Sequence, residues 1–548
     1  MEGRRIMYSR RDFLKAASLT GSAVVLNFHK MFGKPRGTGY FGLHEFVENN
    51  PDAVFILRTN VDAKTNAEAI KTAGHQIGQQ LFVSKPDSTN AYPTATTNVA
   101  IKPNITSWSW DTVNGYTVEG TRGIQTDANF VEGVINSLGD LEVTSDKIYI
   151  REANYFGVQA IDGTWYYHLA QRSGVNLKDF QPVSQLAPSD IQWVDVPNGV
   201  WYKKIPYLWP VNSPDSCLIN ISKFKSHSMG MTLCSKNVQG TNARPYVSHC
   251  TPLFNKNGNF DNYGIAAENL AANALATIQA NYDRHKAGGI ARWDLPGGAG
   301  VQAGGLWMET HASRCLDNNS VLHPLINIIE GVYGREGPFV HGPGSDGKAI
   351  DQMTNVVIFG KNSRHVDIIG TYLAGHEPGN FGFFHLALER GLSKYLNPQD
   401  IPLYEWKLDG SATPTGLDRF TRTSIRTLYL QKAGEAQYHM VNEPYSYSGA
   451  TAVETTKYNK PDAFALTQNF PNPFNPSTSI QYYIPKSGDV RLEIFDIRGT
   501  LVDVLVDSHL AAGDHVTVWR SDRRPSGTYF YRLLFGGTSL TKSMVLLK

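Results

Sequence analysis

Three lysines and a histidine crowd one short stretch of this chain, Lys223, Lys225, His227 and Lys236, and Asn237 follows the last of them at once. Several ammonium groups beside an imidazole and an amide attract an anion such as a carboxylate or phosphate. A lysine set among other cations also has its pKa lowered, which turns it into a base or a nucleophile. Upstream, Lys102 and Asn104 flank Pro103; downstream, Glu330 and Glu336 sit in a glycine-rich stretch and offer carboxylates for proton transfer or for a hard metal. The roles expected are catalysis for Lys225, His227, Lys236 and Glu336, and ligand binding for Lys102, Asn104, Lys223, Asn237 and Glu330. Gly230 or Gly240 would let a ligand approach the backbone closely. A plainer reading stands beside each. Lys223 and Lys225 alternate with Phe224, as on the solvent face of a strand end. His227 would serve as a loop hydrogen-bonder, Glu330 and Glu336 as surface or N-cap carboxylates, and Asn237 with Gly240 as a turn.

Such residues need a scaffold that brings them together. Val54 to Leu57 and Asn98 to Lys102 read as buried strands, Ala67 to Gln80 and Asp127 to Leu138 carry helical spacing, and Lys147 to Ile150 restores a strand. Cys217 to Ile221, Val356 to Phe359 and a helix near Phe383 to Arg390 continue the pattern. Alternating strands and helices predict a layered α/β body with a largely parallel sheet. In such sheets ligands bind outside the carboxyl ends of the strands. Lys102 ends its strand, Lys223 to Lys236 are expected to follow the strand through Ile219, and Glu330 and Glu336 to lie on a loop.

Composition sets outer bounds. A chain of 548 residues with 41% apolar content buries a large core and leaves room for a second, smaller unit. A net charge of +2 with 18% charged residues argues against a nucleic-acid partner. The cysteines, Cys217, Cys234, Cys250 and Cys315, contain no C-x-x-C pair, so no ferredoxin-type iron–sulfur cluster motif or zinc-ribbon spacing is present. Buried free thiols are the expectation, and His249, Cys250, His311 and Cys315 read as scattered structural residues. Metal and cofactor content stay open.

Both ends differ from the middle. From Phe470 to Thr478 the prolines Pro471, Pro473 and Pro476 impose an extended entry that cannot join a central strand. Val490, Leu492 and Ile494 then alternate with Arg491 and Glu493, Ile497 to Thr500 turns the chain into Leu501 to Val506, and His515 to Trp519 and Thr528 to Leu534 repeat the theme. Short strands punctuated by glycine and proline predict a small C-terminal all-β, immunoglobulin-like sandwich. With its closing Lys542 to Lys548, this segment resembles the C-terminal sorting domain of type IX secretion. At the other end, Ser9-Arg10-Arg11-Asp12-Phe13-Leu14-Lys15 precedes an apolar run from Ala16 to Phe28 too short for a spanning helix. It resembles a twin-arginine signal, with Arg10 and Arg11 as the export signal. These resemblances imply the twin-arginine translocase and the type IX machinery as partners, and a secreted or cell-surface protein that passes through the periplasm. The expected organisation is a signal and linker over 1–38, the α/β body over 39–445, a linker over 446–465 and the sandwich over 466–548.

Within the body, Val99 to Asn104, Ile219 to His227, Thr232 to Gly240 and Ile329 to Pro338 resemble the domain-of-unknown-function 362 family, and Asp367 with Gly370 to Leu373 and Leu388 to Gly391 fit its closing portion. Some relatives append a ferredoxin-like module that this chain lacks. The resemblance implies a fold and a site more than a reaction. Two function classes follow: an exported protein that binds a small anionic ligand or carries out acid–base chemistry in a Lys/His/Glu cleft, or a non-catalytic cell-surface binding or structural protein.

Overall fold

The computed structural model describes residues 39–105, 122–153, 165–178, 182–227, 229–247, 251, 253–254, 259–290, 304–427 and 444–447. Beyond these it describes 464–466, 469, 472, 474, 476–510, 513–521 and 524–547. The export-signal residues Arg10 and Arg11, the whole 1–38 segment, His249, Cys250 and most of the 446–465 linker lie outside the described residues.

Apolar runs with β-branched residues build a ten-stranded sheet. It contains β2 (Val54–Arg58), β5 (Asn98–Pro103), β6 (Ile148–Arg151), β7 (Asn176–Lys178), β10 (Ser216–His227), β11 (Gly230–Thr232), β12 (Ile326–His341), β13 (Lys348–Gly360), β14 (Leu403–Trp406) and β15 (Ala412–Pro414). The order is β15-β14-β2-β13-β12-β10-β5-β6-β7, with β11 folded back on β10. Pairing is parallel without a break from β12 through β10, β5 and β6 to β7, and again between β14 and β2. β13 runs antiparallel to both neighbours. The body is thus a mixed α/β structure on a largely parallel sheet. Two small antiparallel sheets accompany it, one of β1 (Tyr40–Leu43), β3 (Phe82–Ser84) and β4 (Tyr92–Pro93), the other of β8 (Ile191–Asp195) and β9 (Lys204–Leu208).

Helices cover both faces, as a buried parallel sheet requires. On one face the helices Ala67–Leu81 and Ala128–Asp140 pack on Val99, Ile101, Ile219 and Ile221. Asn66 and Asp127 cap them, accepting from the amides of Ala69 and Asn129. Gly74 and Gly133 let these two helices touch backbone to backbone, since a Cβ at either would collide with the main chain of the other helix. The opposite face carries Gly305–Val321, Ser363–Leu373 and Gly382–Glu389 over Phe224, Ile329 and Ile358. No described helix is long and apolar enough to cross a membrane.

Near the C-terminus the described strands all pair antiparallel. One sheet holds β16 (Ala465–Leu466), β17 (Ser477–Ile484) and β20 (Gly513–Arg520); the other holds β18 (Gly488–Asp496), β19 (Leu501–Leu510), β21 (Gly527–Phe535) and β22 (Thr538–Leu546). Ile480, Leu492, Ile494, Trp519, Tyr531 and Leu546 from both sheets share one core.

Two placements differ from the sequence expectation. Lys223, Lys225 and His227 lie inside β10 rather than after it, and Glu330 and Glu336 lie inside β12 rather than on a loop. Glycines at 331 and 334 misled the loop reading: a Cβ there would strike Val356 O at 2.7 Å or Phe224 Cδ1 at 3.0 Å, so they mark close packing within a strand.

Candidate functional site

Strand alternation distributes the basic residues over both faces of the sheet. On β5, Ile101 packs with the Ala67–Leu81 side and Ala100 with the opposite side, so Lys102 points away from the Ile101 face. On β10, Cys217, Ile219 and Ile221 share the Ile101 face, and Lys223 continues that row. Each face therefore receives lysine at the carboxyl end of a parallel strand, and Lys102 and Lys223 each meet a carboxylate there.

Lys102 is fully buried and uses all its donors: on Glu152 Oε2 at 2.7 Å, on Asn237 Oδ1 at 3.0 Å and on the Pro103 carbonyl at 2.6 Å. Asn237 returns a bond from Nδ2 to the Lys102 carbonyl and donates a second to Asn220 Oδ1, and Asn220 donates in turn to Asn327 Oδ1. An amide chain thus crosses β5, β10 and β12. Gly240 closes over the pair, because a Cβ there would collide with Glu152 Oε1 and lie 2.6 Å from Lys102 Cε. Asn104 is 4% exposed; its amide donates to the Thr126 hydroxyl, which donates on to the Ile221 carbonyl, and its carbonyl accepts from the Thr126 amide.

On the other face, Lys223 Nζ lies 2.7 Å from Glu330 Oε2 and 3.4 Å from the centre of the Tyr333 ring. Tyr333 donates its hydroxyl to Asp127 Oδ2 at 2.7 Å. Burial pushes Glu330 up to about 7 against the pull of Lys223, with the Asp127 charge adding to the rise. Lys225 donates to the Ile124 carbonyl at 2.7 Å. Burial first, then the charges of Lys236 and Arg335, hold its amine well below the ordinary lysine range. Burial also lowers Lys102, opposed by Glu152 and assisted by Lys236.

Lys236 and Glu152 are therefore both within electrostatic reach of Lys102 and of Lys225. His227 is 7% exposed; its Nδ1 accepts from the Met229 amide at 3.0 Å, and its ring lies parallel to that of His311 with centroids 6.5 Å apart. His311 lines the same cleft as Lys236. Glu336 is turned elsewhere, bound to Arg426 Nε at 2.5 Å and to Gln352. The solvent-face reading of Lys223 and Lys225 does not hold, since they are 0% and 1% exposed, nor does the surface reading of Glu330 and Glu336, at 0% and 3%. Parallel neighbours and helices on both faces enclose these strand ends.

Glu152, Asp127, Tyr333, Asn220 and Asn327 escaped the sequence reading. Glu152 carried a usable signal, for it stands just beyond the strand Ile148–Arg151, at the same edge as Lys102. Gln125 and Gln239, both fully buried, have neither amide atom bonded among the described residues. They flank Ile124 and Gly240, the two backbone positions that touch Lys225 and the Lys102–Glu152 pair. Among the described residues no group of three or more His, Cys, Asp or Glu side chains is placed to hold a metal ion. Cys217, Cys234 and Cys315 are buried thiols, and the Cys315 sulfur lies 3.6 Å from His311 Nε2.

A family model described as a domain of unknown function (DUF362) matches residues 99–372, from the second residue of β5 into the helix Ser363–Leu373. That span holds every candidate site residue, together with Glu152, Asp127 and Tyr333. No curated protein and no solved structure matches the chain.

Proposed function

We propose, from the premise that this chain belongs to the family described as a domain of unknown function (DUF362), that it binds a small anionic or carbonyl-bearing ligand over the ends of β5, β6 and β10 and moves a proton there through Lys225. The observation that carries this reading is the buried Lys225 amine, held well below its ordinary range by burial and by Lys236 and Arg335. An amine held below its ordinary range gives up its proton more readily than a surface lysine does, which suits it to act as a base. Lys236 supplies the charge that draws an anion in. Glu330, pushed up to about 7 by burial, is matched to give or take a proton near neutral pH. Gln125 and Gln239 add buried amides that a ligand's polar groups would satisfy.

Native mass spectrometry on protein purified from its own host tests this. A stoichiometric small anion is expected, lost in Lys225→Ala and in Lys236→Ala. A wild-type mass equal to the bare chain would favour the second reading, a non-catalytic surface binding or structural protein. That reading draws support from the closed pairing of Lys102 with Glu152 and of Lys223 with Glu330, in which each ammonium is already matched.

The proposal extends to location. The two antiparallel sheets formed by β16 to β22 are read as an immunoglobulin-like sandwich that serves as a type IX sorting domain, and Arg10-Arg11 as a twin-arginine signal. Replacing Arg10 and Arg11 by Lys should leave the protein in the cytoplasm, and removing 466–548 should leave it in the periplasm. Normal arrival outside the cell in both variants would end this part of the reading.

A further inference from the structure

Between β11 and the helices Gly305–Val321, Ser363–Leu373 and Gly382–Glu389 lies a small cleft whose walls include Met229, Met231, Phe381 and Phe384. Lys236 and Thr371 reach the same lining. Two polar groups there stand without partners. Thr371 is 1% exposed and its hydroxyl bonds to nothing among the described residues. Lys236 is half-buried, and its ammonium enters no hydrogen bond or ion pair among the described residues. The carboxylate on the lining does not serve them, because Asp367 is taken up by the amides of Cys234 at 2.7 Å and Ser235 at 2.8 Å. Buried hydroxyls in folded proteins are almost always bonded, so an orphan that faces a cleft marks where a ligand atom belongs.

We propose that this cleft binds a short-chain carboxylate, with its alkyl tail between the methionine and phenylalanine walls and its carboxylate held by the Lys236 ammonium and the Thr371 hydroxyl. Size sets the length of the tail. The cavity volume is about 40 Å³, room for about three waters, which favours the smallest acids, of acetate to propionate size, over a long chain or an aromatic one. The walls set the charge: the Lys236 ammonium, with His311 on the same lining and the Asp367 carboxylate already held by two amides, matches a monoanion with a hydrocarbon tail, whereas a phosphate would lose its hydration to methionine and phenylalanine. Lys236 also stands beside Lys102 and Lys225, so a carboxylate bound to it offsets their mutual repulsion. The inference rests on the anion-binding reading for that juxtaposition, while its own evidence is the lining of the cleft.

Saturation-transfer NMR on the full chain, titrated with propionate and separately with propan-1-ol and hexanoate, tests the assignment. Propionate is expected to bind saturably, hexanoate more weakly and propan-1-ol not at all. Lys236→Met should weaken propionate about tenfold, the scale of a lost charge-assisted bond, and Thr371→Val about threefold. Thr371→Val is close to isosteric and carries the test alone if Lys236→Met does not fold. Absence of saturable propionate binding to the wild type, or equal affinity in wild type and both variants, overturns the proposal. The two readings fail separately: a host-derived anion lost on Lys225→Ala without propionate binding removes only the cleft assignment, and Lys236-dependent propionate binding in a chain that carries no host ligand removes only the Lys225 chemistry.

Discussion

Strands β10 and β18 share one alternation of charge and apolar residue, yet they hold their basic residues in opposite surroundings. In β18, Val490, Leu492 and Ile494 face the core while Arg491 and Glu493 form an outer ladder with Arg532 and Asp507. The side chains of Arg491 and Arg532 there are 41% and 42% exposed. In β10, Lys223 and Lys225 follow Ile219 and Ile221 on one face and are enclosed completely. A period of two says which residues share a face, and only the layers packed on that face decide whether it is wet. A charge on an antiparallel sheet with one solvated side is routine. The same charge on a parallel strand covered on both sides must be paired, neutralised or used.

The largest test of this contrast removes a buried partner. Lys102→Met leaves Glu152, 5% exposed, without its cation, and should cost the body about 3–5 kcal/mol in denaturant unfolding. Adding Glu152→Gln should recover part of that loss. Arg491→Met in the outer ladder should leave the unfolding curve in place, and an equal loss at the two sites would break the comparison.

A smaller effect is expected at Gly240. Gly240→Ala drives a methyl into Glu152 and Lys102 and should destabilise by about 1–3 kcal/mol through overpacking. At Gly499, φ is +80° and nothing lies within 4 Å of the point where a Cβ would stand. Gly499→Ala should therefore incur only the left-handed backbone cost of about 1 kcal/mol. Chemical denaturation of the two variants compares steric closure in the body with turn strain in the all-β region.

The smallest effect is a pH dependence. His285 is 4% exposed in its side chain and bridges Glu309 Oε2 at 2.6 Å and Glu389 Oε2 at 2.9 Å. Burial opposes its charge, but the two carboxylates prevail and raise its pKa above 6.5. A raised folded value means that the protonated pairs stabilise the fold fully below pH 6.5, and that this contribution fades as pH rises through the raised value. Between about pH 6 and pH 9 the melting temperature of the wild type should fall by about 2–4 °C more than that of His285→Gln.

Much of the scaffold was legible from local pattern. The expected strand Val54 to Leu57 is β2, the helix expected over Ala67 to Gln80 runs Ala67–Leu81, and the strand expected over Lys147 to Ile150 is β6 from Ile148. Each of these elements has one consistent period and a clear boundary residue, such as the Asn66 cap. The length of β12 was not legible, because Gly331 and Gly334 read as loop punctuation until Val356 and Phe224 are seen pressing on them. The site was half legible. Lys102 was marked by type and by its place at a strand end, and Lys223, Lys225 and Lys236 by type alone, since the first two lie inside β10 and the last on the short helix Cys234–Asn237, while Glu152 and Asp127 looked like any acidic residue near a strand or helix end.

By itself the sequence determined the alternation of strand and helix, the run of basic residues and their assignment to the carboxyl edge of a sheet, because period, caps and residue type are local properties of the chain. Tertiary structure alone decided that Lys102 meets Glu152 across 50 residues and Lys223 meets Glu330 across 107, and that Glu336 turns to Arg426 instead. Pairing across such separations depends on strand order and on the layers that exclude water, and neither is written in any one segment.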